Sequence, residues 1–305
     1  MPRFDKWLIG VAPLSPVDRV ARKALVTRLR AVEHYLEAAI GGDDEAEAIH
    51  QLRIWTRRTA AALRLFAPAL PAKPARRLRK SLRKLRRAAG LVRDCDVHLE
   101  QLQAEGEKPP RKLIANLKHE RRSGRQQLKS LRNRLQKKER LARRSAAVLD
   151  AIVWPKRHSS RAAPEFAPWC REQLAAQGAA FFELAAVAAD SDRRLHELRK
   201  GGKRLRYALE LAAAAIAPRQ HRKLYEELSL LQEKLGAVCD HLAKAEQLRD
   251  WQAQSKKHKD RQRLGELLAR EEQRLALDRK KFHRWWSAAR RSRLQTHWLA
   301  ATSYL

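Results

Sequence analysis

Two histidines, each heading a similar run of basic side chains, define the chemistry this sequence is equipped to do. In residues 44–66, DEAEAIHQLRIWTRRTAAALRLF, a helical period of about 100° per residue puts His50, Arg53, Arg57 and Arg64 within an arc of roughly 60°. The opposite side carries Ala48, Leu52, Trp55, Thr59, Leu63 and Phe66, the face that a helix buries. In residues 190–211, DSDRRLHELRKGGKRLRYALEL, His196, Arg199, Lys203 and Arg206 share an arc, with Leu198, Leu205, Leu209 and, just beyond, Ala212 behind them. Guanidiniums and an imidazole on one stripe suit oxyanions. Arg offers fork-like donors to phosphate oxygens and Lys a point charge. A neutral imidazole donates one hydrogen bond, and a bound anion favours its protonated form.

A second pair of landmarks keeps the same spacing. AAGLVRDCD places Gly90 and Asp94 where KLGAVCDH places Gly236 and Asp240, so each glycine follows its histidine by 40 residues. Two motifs preserving one offset point to an internal duplication. Further cations extend the first copy. In the basic stretch 75–89, Leu78, Leu82, Leu85 and Ala89 form an apolar seam, and Arg76, Lys80, Arg83 and Arg87 lie opposite it. A later stretch, 111–136, aligns Lys118, Arg122, Arg125, Lys129 and Arg132. The second copy is not equally cationic, because Glu226, Ser229 and Glu233 occupy the places of Lys80, Arg83 and Arg87.

Catalysis needs a nucleophile with a base, or a carboxylate cluster holding a divalent metal. Asp94 and Asp96 are the only close carboxylates beside a motif, and Asp94 reads as a helix cap or an ion-pair partner. Cys95 with His98, and Cys239 with His241, offer too few ligands and lack zinc-finger spacing. No catalytic residue, metal site or cofactor is assigned. The three cysteines, Cys95, Cys170 and Cys239, make no disulfide framework and fit a reducing compartment.

The elements that must position these residues read as helices throughout. Lys and Arg number 67 against 34 Asp and Glu in 305 residues, a formal +33, while aromatics are 6%. That excess calls for a polyanionic partner, whether nucleic acid, an anionic membrane or polyphosphate. The apolar residues are mostly Leu and Ala, both good helix formers. No stretch reaches the roughly 18 apolar residues of a membrane-spanning helix, and residues 1–16 lack a signal-peptide core, so a cytoplasmic protein is expected. Residues 1–14 read as a loosely ordered lead-in with Trp7, Leu8 and Ile9 as a docking patch. A first helical repeat spans 15–154, a linker 155–168, a second repeat 169–290, and a tail 291–305. Within the repeats, Gly41-Gly42 stops the first helix, Asp43 or Asp44 caps the second, and Asp44 with Glu47 has the form of a capping box. Gly90 is expected to break the third helix before a separate one from 93 to about 105. Helices over 219–235, 239–253 and 257–290 are expected in the second copy. Gly201-Gly202 suits a close approach by another backbone or a ligand. Trp285, Trp286, Trp298 and Tyr304 read as core or dimer-contact aromatics.

His-x2-Arg-x3-Arg-Arg followed 40 residues on by Gly-x2-Arg-Asp, then His-x2-Arg-x3-Lys-Arg-Leu-Arg-Tyr and Leu-Gly-x3-Asp, resembles the CHAD family, the conserved-histidine α-helical domain. The resemblance covers roughly residues 15–290. It implies an all-α fold of two four-helix bundles related by a pseudo-twofold axis, with a basic groove or pore between them that binds inorganic polyphosphate without catalysis. Family members often sit on polyphosphate granules or beside a triphosphate-tunnel domain, and this chain resembles a stand-alone member. By position, the resemblance assigns phosphate contact to His50, Arg53, Arg57 and Arg58, and to His196, Arg199, Lys203, Arg204 and Arg206. Arg64, Lys80, Arg83, Arg87, Lys118, Arg122 and Arg125 fit the same role. Charge alone also allows weak nucleic-acid binding, but few aromatics stand among the basic faces as stacking platforms. A polyphosphate hydrolase is the third reading. Neither oligomeric state nor chain-length preference follows from the sequence.

Overall fold

The computed structural model describes residues 4–41, 45–104, 109–152, 163–186 and 191–303. The proposed caps at Asp43 and Asp44, the stop at Gly42, residues 153–162 of the linker region and Tyr304 lie outside them. Among the described residues the chain is all α-helical, with no strand and one isolated bridge, Pro16 to Glu165. It divides into two compact units, Met1–Trp169 and Cys170–Leu305.

In the first unit, α1 (Val17–Gly41) packs on α2 (Glu45–Leu65), α2 on α3 (Ala72–Ala104), and α3 on both α4 (Arg111–Gln136) and the short α5 (Arg140–Leu149). The helix period explains the core. Leu52, Trp55, Thr59 and Leu63 of α2 are buried, as are Leu25, Leu29, Val32 and Leu36 of α1 and the seam Leu78, Leu82, Leu85 and Ala89 of α3. Phe4 packs against His34, Tyr35 and Trp55, Leu8 is buried, and the buried Arg28 donates to Lys6 O at 3.2 Å. The described part of the lead-in is thus docked on α1, not loose, although Ile9 stays exposed.

The second unit holds α6 (Phe166–Ala186, its first turn in the first unit), α7 (Asp192–Leu209), α8 (Pro218–Gln254), α9 (His258–Trp285) and α10 (Ala288–Thr302). Ser191 caps α7 and Ser287 caps α10, each side chain accepting from a backbone N–H three residues on. The stretch read as a tail therefore contains a helix, and it supplies core: Leu294, Trp298 and Ala301 are buried. Trp286 is also core, whereas Trp285 is half-exposed between Lys234 and Arg290.

Two expected breaks are absent. Gly90 lies inside α3 and Gly236 inside α8, so the third and fourth helices of each copy are one. An interior glycine costs only about 1 kcal/mol relative to Ala, and at Gly90 a Cβ would stand 3.1 Å from Arg53 Nη1. The glycine serves a side chain's approach rather than a turn. Gly201-Gly202 works similarly: the neighbours that come close are the side chains of Phe181, Leu231 and Gln232, not a backbone.

Gly178 is the tightest such contact. A Cβ there would lie 2.0 Å from Nε1 of Trp298, which is 1% exposed and donates to Leu174 O at 3.2 Å. Gly178→Ala should lower unfolding free energy in denaturant titration by about 3 kcal/mol or more. Gly41→Ala, with nothing within 4 Å, should be neutral or stabilising by up to about 1 kcal/mol. Equal effects at the two sites would contradict this packing.

Candidate functional site

A brace between neighbouring helices positions the basic stripe in each unit. In the first, Arg53 Nη1 on α2 donates to Gly90 O at 2.9 Å and to Asp94 Oδ1 at 3.1 Å, both on α3. In the second, Arg199 Nη2 on α7 donates to Asp240 Oδ1 at 3.1 Å and again faces a glycine, Gly236, although a Cβ there would meet Arg199 Nη2 at an ordinary 3.7 Å. Asp94 is therefore an ion-pair partner and not a cap. Each arginine is about one-fifth exposed and each aspartate more than half, so the pair sits at the rim of the helix interface. Arg199 Nε is buried without a hydrogen-bond partner among the described residues.

Both histidines are exposed beside these braces. Partial burial holds the His50 imidazole below the ordinary histidine range; Glu47 opposes this, and Arg93, Arg53 and Arg57 reinforce it. Partial burial lowers His196 as well, reinforced by Lys200, Arg199 and Lys203 and opposed by Glu197. Neither Arg93, the arginine of the Gly-x2-Arg-Asp motif, nor Lys200 was among the contact residues assigned from the sequence. Lys200 lies about 40° from His196 on a helical wheel and was legible there. Arg93 needed the packing of α3 on α2.

The other assigned cations divide by environment. Arg57 is half-buried and Arg64 exposed on α2. Lys80, Arg83 and Arg87 are exposed on α3 and form no ion pair among the described residues. Lys118 and Arg122 are exposed on α4, while Arg125 pairs with Glu45 at the start of α2. The Arg58 guanidinium lies 4.6 Å from the Trp55 ring centroid. On α7, Lys203 is half-buried and Arg204 exposed. Arg206 turns inward: its Nη1 donates to Tyr225 Oη at 2.8 Å and lies 3.5 Å from the fully buried Glu210, to which Tyr225 also donates. Arg206 thus neutralises a buried carboxylate, an unpaired one being costly, and the outward stripe of α7 is shorter than that of α2.

The groups that could support other chemistry are committed elsewhere. Asp96 is buried and paired with Arg121. Burial pushes the Cys95 thiol up to about 11 and raises Cys170 and Cys239 too, so all three stay protonated near neutrality. Among the described residues no group of three His, Cys, Asp or Glu side chains is placed to hold a metal ion, and no helix is long and apolar enough to cross a membrane. The arrangement can bind anions along two helical stripes.

A family model described as the CHAD domain matches residues 23–249. The crystal structure of the CHAD domain from the plant Ricinus communis superposes with a TM-score of 0.74 at 20% identity, covering 98% of this chain and 97% of that one. PptA from Streptomyces chartreusis superposes with a TM-score of 0.61 at 17% identity, covering 89% and 99% respectively. At such identities these likenesses concern the fold alone. No curated protein matches the chain.

The lowered imidazoles give a pH dependence with a definite sign. Their unfolded forms take up protons near 6.5 and their folded forms lower down. Their contribution to stability is therefore present above 6.5 and lost as pH falls through the folded values. Histidine NMR titration of the anion-free protein should place both midpoints below 6.5; midpoints above it would mean that neither burial nor the surrounding cations hold these rings down.

Proposed function

The chain belongs to the CHAD domain family, and on that premise we propose that it binds inorganic polyphosphate, without turning it over, through the basic faces of its two units. The observation that carries the reading is the recurrence of one device: an arginine braced to an aspartate at 3.1 Å across a helix pair, beside an exposed histidine and further cations. Polyphosphate carries about one charge per phosphate and has no bases to read. A receptor for it needs closely spaced cations on stiff elements, so that little ordering cost falls on the protein. The recurring device is what an internal duplication would leave behind. A polymer long enough to engage both faces gains by effective concentration.

Two features support this reading over its rivals. The large aromatics that a single-stranded nucleic acid would stack on are mostly core, among them Trp55, Phe66, Phe166, Trp286 and Trp298. The carboxylates beside the first motif, Asp94 and Asp96, are each paired with an arginine, which supports binding rather than metal-assisted hydrolysis. Residence in the cytoplasm, on polyphosphate granules, is part of the proposal and follows from affinity for the polymer.

Because counterion release dominates such binding, affinity for long-chain polyphosphate should fall steeply with salt. Binding should survive an excess of duplex DNA; its loss there would favour the nucleic-acid reading. Arg57→Glu with Lys203→Glu should weaken binding at least about tenfold, each lost charged hydrogen bond being worth about 1.5 kcal/mol or more, with helicity by circular dichroism unchanged. The asymmetry makes a separate test. Arg83→Glu with Arg87→Glu should weaken binding, and Glu226→Lys with Glu233→Arg, both exposed positions, should strengthen it. No gain from the second pair would mean that this part of α8 does not face the polymer. Phosphate release with added magnesium would contradict the non-catalytic part.

A further inference from the structure

A second cluster of guanidiniums lies on another shoulder of the first unit. Arg77 on α3 and Arg140, Arg143 and Arg144 on α5 line one cleft of about 380 Å³, together with Pro74 and Ala147. No carboxylate lines it, and none of the four arginines forms an ion pair among the described residues. On α3, Arg77 is rotated about 100° from Arg76, which belongs to the stripe of Lys80, Arg83 and Arg87. The cleft therefore opens to a different side of α3 from the face beside Arg53.

One of the four is held in place. Arg144 Nη1 donates to Ser81 Oγ at 2.5 Å, and Ser81, which is 1% exposed, donates in turn to Arg77 O at 3.2 Å. This chain of bonds fixes one guanidinium against α3 and leaves its other N–H groups available. Four like charges around one space repel one another unless an anion enters, and a fork already fixed by packing loses little freedom on binding. Four charged heads around so small a space disfavour an apolar ligand, and no carboxylate among the lining residues is there to hold a cation. The charge exceeds what a single phosphate balances.

We propose that this cleft is a separate site for a short run of condensed phosphates, two or three in length, presented either as free pyrophosphate or tripolyphosphate or as the end of a longer chain. The inference does not depend on how the α2 and α7 faces act. Arg140 and Arg143, whose exposed side chains form no hydrogen bond among the described residues, are the residues to change.

The test is calorimetric titration of the full chain with tripolyphosphate. Wild type and Arg57→Glu/Lys203→Glu should bind it with similar affinity, while Arg140→Ser/Arg143→Ser should bind at least tenfold more weakly with an unchanged circular dichroism spectrum. Should the serine variant misfold, Arg140→Lys/Arg143→Lys, which keeps charge but loses the fork, should still weaken binding several-fold. Long chains at fixed total phosphate distinguish the sources. A loss in the serine variant that grows as chains are shortened shows capture of chain ends, and an effect on tripolyphosphate alone shows a site for the free oligomer. Unchanged tripolyphosphate affinity in both the serine and lysine variants would overturn the proposal. Equal losses in the Arg57/Lys203 and Arg140/Arg143 variants would also overturn it, by showing one shared surface, and would leave the polymer reading standing.

Discussion

Everything in this chain rests on holding like charges close together. Two cations a few ångströms apart in water repel by on the order of 1 kcal/mol, and a stripe of them would open the helices that carry it if nothing opposed. Burial of a leucine contributes about 1.5–3 kcal/mol, so the seam of Leu78, Leu82 and Leu85 behind the cations of α3 outweighs their repulsion. At the most crowded point apolar burial is joined by a direct brace. Arg53 reaches across to Gly90 O and Asp94, and Arg199 to Asp240. Being more than half exposed at the aspartate, these pairs add little to global stability. Their effect is to fix where a guanidinium stands.

On the proposed reading, a surface built in this way is tense without an anion and relaxed with one. The histidines register the tension. Each is exposed, yet each is held below the ordinary imidazole range by partial burial and by neighbouring cations. A bound anion reverses the electrostatic part of that shift, so proton uptake and anion binding are linked. The two units differ in how much positive charge they present. Lys80, Arg83 and Arg87 have acidic or neutral counterparts in Glu226, Ser229 and Glu233, and Arg206 is drawn inward to Glu210.

Much of this was legible in the sequence because both the core and the basic stripes follow the helical period. The buried sides of α2 and α3 are the ones the wheel picks out, from Leu52 and Trp55 to Leu78 and Leu85. Several of the errors share one cause, that propensity and period see a residue's own helix and not its neighbour. Gly90 looked like a breaker because its use, admitting Arg53 from α2, is visible only once α2 and α3 are packed. Arg206 looked like part of the outward stripe because Tyr225, which turns it, comes from α8. Arg93 was quoted in its motif but not placed beside His50 for the same reason. Trp298 read as core or contact, and what decided it was Gly178 on α6, far away in the chain. The cleft of Arg140 and Arg143 joins α3 to a helix that carries no recognisable motif.

The linkage between imidazole protonation and anion binding offers the most direct test of the account. Calorimetry of long-chain polyphosphate binding near pH 6, repeated in buffers of different ionisation enthalpy, counts the protons taken up on association. The account predicts net uptake approaching about two protons at most, reduced by roughly half in His50→Gln or His196→Gln and abolished in the double variant. Binding with no proton uptake, or uptake unaltered when both histidines are replaced, would contradict the claim that the two basic faces meet the polymer.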